Sequence, residues 1–181
     1  MSAFPEAQLA HVGIFVRDLD KMVEFYERVF GLAITDRGVS TRPGAPVMAF
    51  MSRDPREHHQ VAFGTGRPDD GSPTTINQIS FRVAGLEELR TWYARLVDLG
   101  IDKLDPRNHG NAWSIYFLDP EGNRLEIYTA TDWYVSQPCG APLDLTKSAA
   151  TIREETATLA SKDPNHCTMD EWSSKFAARL G

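Results

Sequence analysis

Apolar and polar positions repeat along the first 131 residues in two matching registers. His11-Val12-Gly13-Ile14-Phe15-Val16 lies over Gln78-Ile79-Ser80-Phe81-Arg82-Val83 at an offset of 67, and the register holds through the next twenty residues. Val16 meets Val83, Leu19 meets Leu86, Tyr26 meets Tyr93 and Leu32 meets Leu99. Met22, Tyr26 and Val29 in the first copy, and Leu89, Tyr93 and Leu96 in the second, are spaced i, i+4, i+7. That spacing lines one face of a helix. Phe50-Met51 then falls on Phe117-Leu118; two extra residues, Ser52 and Arg53, shift the offset to 65, so Asp54-Pro55 meets Asp119-Pro120. An Asp-Pro pair predicts a turn, because proline fixes φ and the aspartate side chain caps the bend. Each copy therefore reads strand, helix, strand, strand, turn, strand.

These elements predict an α+β fold: two tandem βαβββ modules forming a cupped mixed sheet, plus a C-terminal helical extension. The first module covers residues 1–66, a Pro/Gly-rich linker 67–74, the second module 75–131, and a C-terminal arm with helices 132–181. Within that last part, residues 133–145 read as an extended arm and 147–161 as a helix with Ile152 and Leu159 inward. Thr168-Met169-Asp170-Glu171 is a capping-box pattern opening a final helix, with Trp172, Phe176 and Leu180 on one stripe. The expected role of this extension is packing or dimer formation.

Composition narrows the function classes. Of 181 residues, 41% are hydrophobic and 24% charged, and the net charge is −6, which suits a globular chain without a nucleic-acid-binding face. No apolar stretch approaches the ~20 residues of a membrane span. The opening Met1-Ser2-Ala3-Phe4-Pro5-Glu6 lacks the basic and apolar regions of a secretory signal, so a cytoplasmic protein is expected. Cys139 and Cys167 are read as reduced bystanders.

Two curved βαβββ sheets set edge to edge offer four natural ligand positions, two per module. The first-strand pair is His11 and Gln78; counting from the Asp-Pro turns, the last-strand pair is Val61 and Glu126. His11, Gln78 and Glu126 thus form a three-ligand metal site with open coordination, the pattern of a catalytic centre. A carboxylate between Leu125 and Ile127 on a buried strand needs a partner. A first-strand histidine is otherwise a common core residue, and Gln78 alternatively hydrogen-bonds within the sheet. By strand alternation Val61, His59 and Phe63 share the cup face, so His59 is a base beside the metal while His58 points away. Tyr116 faces the cup as a donor or packs in the core, and His109 lies in a loop at the mouth.

At these residues the chain resembles the vicinal oxygen chelate superfamily, which includes glyoxalase I, bleomycin-resistance proteins, fosfomycin-resistance enzymes and extradiol dioxygenases. The likeness rests on His11-Val12-Gly13-Ile14-Phe15-Val16-Arg17-Asp18-Leu19, on Phe25-Tyr26 with Phe30-Gly31-Leu32, and on Ser114-Ile115-Tyr116-Phe117 with Asp119-Pro120-Glu121-Gly122-Asn123-Arg124 and Glu126. The nearest likeness is to type I extradiol ring-cleaving dioxygenases, whose first module ends in a His-His pair, as His58-His59 does here. The resemblance implies His59 as acid/base, with Tyr116 and His109 contacting substrate or oxygen, and a homodimer. It also implies a divalent metal, Fe(II) first, with a catechol-like aromatic substrate and O2. Gln78 stands where the family has a second histidine; a neutral amide is the weaker ligand, so Mn(II), Zn(II) or Mg(II) become alternatives. The rival expectations are a non-oxidative isomerase or lyase of the glyoxalase type and a metal-free binding or resistance protein.

Overall fold

The computed structural model describes residues 7–71 and 75–180; linker positions 72–74 and the side chain of Leu180 lie outside the described part. The first module runs β1 (Val12–Val16), α1 (Leu19–Phe30), β2 (Ala33–Val39), β3 (Val47–Ser52), β4 (Val61–Thr65). The second runs β5 (Ile79–Arg82), α2 (Leu86–Asp98), β6 (Asp105–Asn108), β7 (Ala112–Leu118), β8 (Arg124–Ala130). The extension adds β9 (Trp133–Tyr134), β10 (Ala141–Pro142), α3 (Ala149–Ala160), β11 (Cys167–Thr168) and α4 (Met169–Leu180). Among the described residues no helix is long and apolar enough to cross a membrane. The described residues form two compact units: 7–71 and 75–77 with Leu118–Asn123, and Gln78–Phe117 with 124–180.

In the first unit the sheet order is β1-β4-β3-β2, with β1 and β4 parallel. Helix α1 starts where the Asp18 side chain accepts from the Lys21 N–H, and ends at Gly31, whose left-handed backbone closes the last turn. Its buried stripe of Met22, Tyr26 and Val29 covers one face of the sheet, where the Tyr26 ring meets Phe63 at 4.9 Å. Asp119, in the second module's Asp-Pro turn, accepts from the Glu121 and Asn123 N–H groups and from the buried Tyr26 hydroxyl. Burial and the Asp119 carboxylate together drive the Tyr26 hydroxyl well above its ordinary range. Glu121 accepts from the Arg17 and Asp18 N–H groups and from Arg67.

Strand β2 carries a bulge between Ile34 and Asp36, so one extra residue, Thr35, enters the strand. Past it Asp36 lies opposite Phe50 rather than Ala49, which turns its carboxylate to the face that α1 leaves open. Phe15, Gly13, Ala62, Gly64, Met48 and Phe50 share this open face, since directly paired residues project to the same side.

In the second unit the order is β10-β6-β7-β8-β5. Leu89 and Leu96 of α2 are fully buried, as the periodicity requires. Helix α3 is capped by Ser148 and buries Ile152 and Thr156; Leu159, expected inward, is only half-buried. The Thr156 hydroxyl accepts from Asn108 Nδ2 and Trp113 Nε1, both at 2.8 Å, which ties α3 to β6 and β7. The capping box forms as read: Glu171 N–H donates to Thr168 Oγ1 and Thr168 N–H to Glu171 Oε2. Trp172 stacks between Tyr134 and Phe176, at 5.4 and 5.1 Å.

Gly110 and Gly122 separate two costs of a side chain. Both have left-handed backbone, φ +75° and +81°, but an added Cβ at Gly110 would lie 2.5 Å from Val135 Cγ2, whereas none lies within 4 Å of one at Gly122. Gly122→Ala should cost about 1–2 kcal/mol from backbone alone, and Gly110→Ala a further ~1–3 kcal/mol from overpacking. Urea unfolding measures both, and equal losses would contradict the packing of Val135 on this turn.

Candidate metal and active site

His11 is the residue before β1, and His59 stands two residues before β4. Because these strands are parallel neighbours, both histidines emerge at the same end, and their ring centroids lie 4.2 Å apart. Phe50 packs against the His59 ring at 5.1 Å. His58 does not point away as alternation predicted: its Nδ1 is 2.9 Å from His59 Nδ1, and its Nε2 is 2.8 Å from Asp36 Oδ2. Alternation fails because residues 58–60 are loop rather than strand. For the same reason His59 does not share a face with Val61 and Phe63, which are buried beneath α1, Phe63 against Tyr26.

The Asp36–His58–His59 chain has one consistent proton arrangement when both rings are neutral. A carboxylate only accepts, so His58 Nε2 carries the proton and His58 Nδ1 is an acceptor. His59 then donates from Nδ1, which leaves the lone pair on its Nε2. Burial, followed by the neighbouring His11 and His58 rings, holds His59 below its ordinary pKa.

The register also corrects the counterpart of Glu126. Gly13 pairs with Ala62 and Ser80 pairs with Glu126, so Ala62, not Val61, occupies the equivalent place. The shift arises because the first module's turn is longer than the Asp-Pro alignment allows.

In the second unit Gln78, just before β5, lies with Ser80, Ser114, Tyr116 and Glu126 on one face of β5, β8 and β7. Glu126 is 6% exposed. Its Oε2 accepts from Ser80 Oγ at 2.5 Å and Gln78 Nε2 at 2.9 Å, and its Oε1 from Ser114 Oγ at 2.7 Å. The Tyr116 hydroxyl lies between Glu126 and His109 Nε2, which is 3.0 Å away. Burial, then the Glu126 hydrogen bond and charge, push Tyr116 up to about 12, so the phenol is a neutral donor. The Arg124 guanidinium covers its ring at 3.8 Å.

His11 and His59 therefore meet in the first unit, while Gln78, Tyr116, His109 and Glu126 meet in the second. Within either unit, among the described residues, no three His, Cys, Asp or Glu side chains form a ready ligand set. Sequence reading missed Ser80 and Ser114, although each lies two positions from a residue it singled out (Gln78 and Tyr116). Asp36 carried no signal, since a bulge cannot be seen in the alternation it breaks.

The donor set fits a divalent cation. Gln78, Ser80 and Ser114, which donate to the buried Glu126, are all neutral, and among the described residues no Lys, Arg or His nitrogen forms an ion pair with it. A carboxylate removed from water in this way lacks a countercharge. Gln78, whose amide nitrogen contacts Glu126, adds a carboxamide oxygen of the kind hard cations accept.

Ser114 is fully buried, so Ser114→Ala should remove a charge-assisted bond that no water replaces, at about 1.5–3 kcal/mol. Urea unfolding at neutral pH reads this, and a loss below ~0.5 kcal/mol would show that the bond does not support Glu126.

Residues 8–127 match the glyoxalase/bleomycin resistance protein/dioxygenase superfamily. The chain is 32% identical over 126 residues to biphenyl-2,3-diol 1,2-dioxygenase 3 of Rhodococcus globerulus, covering 66% of this chain but only 62% of that protein. It is 30% identical over 128 residues to metallothiol transferase FosB of Lysinibacillus sphaericus, covering 67% of this chain and 81% of that one. Among solved structures, the fold matches FosX of Listeria monocytogenes complexed with Mn(II) and sulfate, at TM-score 0.53 and 22% identity, over 70% of this chain and 95% of that chain.

Proposed function

The chain belongs to the glyoxalase/bleomycin resistance protein/dioxygenase superfamily, and from that premise we propose that it is a metal-dependent extradiol-type dioxygenase, cleaving a catechol-like aromatic ring with O2. The observation that carries this reading is the buried Glu126 carboxylate, held by neutral donors beside the Gln78 amide and the Tyr116 hydroxyl. His11, Gln78 and Glu126 would hold the ion, Fe(II) first, with Mn(II), Zn(II) or Mg(II) as alternatives. When bound, such a cation acidifies a coordinated hydroxyl and organises the oxygens of a vicinal diol.

The chain's own groups supply the rest. His59 Nε2 takes a proton from a substrate hydroxyl, because its Nδ1 is engaged by His58. Tyr116, whose hydroxyl donates to His109 Nε2 in the free site, turns that proton to a substrate oxygen when substrate binds. The strand aromatics Phe15, Phe63 and Phe81 are not equally placed to form an apolar wall for a ring. Phe15 lies on the open face, but Phe63 is buried beneath α1, and Phe81 pairs with Ile127 on the face opposite Ser80 and Glu126. Phe15, Met48 and Phe50, set around the small residues Gly13, Ala62 and Gly64, supply the ring-binding surface instead. The proposed enzyme is a cytoplasmic homodimer.

A non-oxidative reading uses the same residues: a metal-dependent isomerase, lyase or transferase moving a proton or group without O2. It is favoured by the alignment with the metallothiol transferase, which covers more of that protein than the dioxygenase alignment covers of its own.

An oxygen electrode separates the two with 2,3-dihydroxybiphenyl and metal-reconstituted protein. The dioxygenase reading expects O2 consumed in equal amount to substrate, a yellow product, and loss of both in Glu126→Ala. Turnover that continues without oxygen would overturn it. Gln78→His should tighten Fe(II) binding, since imidazole is the stronger ligand; unchanged affinity would exclude Gln78 from the ligand set.

A further inference from the structure

The extension after residue 131 lies outside the superfamily match, yet it touches the candidate site at His109. His109 sits at the β6–β7 turn, its backbone N–H donating to the Ala112 carbonyl. The arm wraps this turn. Val135 packs on Gly110, and the Thr131 hydroxyl donates to the Gly110 carbonyl. Gln137 Nε2 donates to the His109 carbonyl at 2.9 Å and approaches Asn111 Oδ1 at 3.2 Å, while Gln137 Oε1 accepts from the Cys139 N–H at 3.0 Å. One side chain thus bridges the turn and the backbone of residue 139. The Cys139 carbonyl then lies 2.5 Å from His109 Nδ1.

We propose that this arm is a working part of the site: the Cys139 carbonyl, pinned by Gln137, fixes His109 as its Nδ1–H tautomer and so presents the Nε2 lone pair to the Tyr116 hydroxyl. The chemistry leaves one assignment for a neutral ring. A backbone carbonyl has no proton to give, so the hydrogen of that bond is on Nδ1. Nε2 is then an acceptor, and the Tyr116 hydroxyl donates to it. The alternative tautomer would place Nδ1 and the Cys139 carbonyl lone pair to lone pair and make Nε2–H a second donor to Tyr116. The phenol proton would then belong to Glu126 alone. With the arm in place His109 shares that proton, so the carboxylate is not the sole partner of Tyr116. His109 and Gln137 act through Tyr116 and are positioning residues. Their consequence for catalysis rests on the proposed function; the tautomer does not.

The test is nitrogen-15 NMR of histidine side chains in the full-length protein, with the His109 signals assigned by their loss in His109→Asn. The wild type should show a proton on His109 Nδ1 and an unprotonated, downfield-shifted Nε2. Gln137→Ala, an exposed substitution, should lose the Nδ1–H signature, and Gln137→Met, which keeps side-chain length, should lose it as well. Where ring cleavage is measurable, both variants should lower kcat with KM kept. A wild-type His109 protonated on Nε2, or an unchanged tautomer in both variants, overturns the proposal. Absence of ring cleavage alongside the expected tautomer defeats the dioxygenase reading and leaves this inference standing.

Discussion

Burying a carboxylate without a cation is the constraint around which the second module is arranged. Glu126 is 6% exposed, and a bare anion removed from water to that degree costs several kcal/mol. Ser80, Ser114 and Gln78 offset part of that by donating to both oxygens. They reach it together because strand side chains alternate: Gln78 and Ser80 are two apart, as are Ser114 and Tyr116, so each pair shares a face. Core demands govern the opposite face, where Leu125 and Ile127 are fully buried. One strand thus serves packing with its odd positions and polar chemistry with Glu126.

The first module reaches a polar cluster by a different route. No carboxylate interrupts its last strand; Ala62 stands in the place of Glu126. Its titratable groups come instead from strand ends and from a bulge that turns Asp36 toward His58. Bulges re-aim side chains in this way at the expense of ladder regularity. The duplicated sequence therefore carries unequal chemistry: imidazoles with Phe50 in one copy, a carboxylate with hydroxyls in the other.

Much of the fold was legible because periodicity records burial. The i, i+4, i+7 stripes of Met22-Tyr26-Val29 and Leu89-Tyr93-Leu96 predicted both module helices, and Thr168 with Glu171 predicted the cap of α4. The polar set around Glu126 was partly legible, since a carboxylate between Leu125 and Ile127 demands partners. What escaped was anything set by an inserted residue. The Thr35 bulge, the loop placement of His58 and His59, and the one-residue shift from Val61 to Ala62 all break alternation. Contacts from the arm escaped as well, because the Cys139 backbone carbonyl carries no sequence signature.

A carboxylate held in this way has its charge left for a cation, and calorimetric titration of metal-stripped protein with Mn(II) addresses that most directly. The account predicts one ion bound per chain and loss of that binding in Glu126→Gln, with the variant still folded. Equal binding by the variant, or none by the wild type, would contradict it.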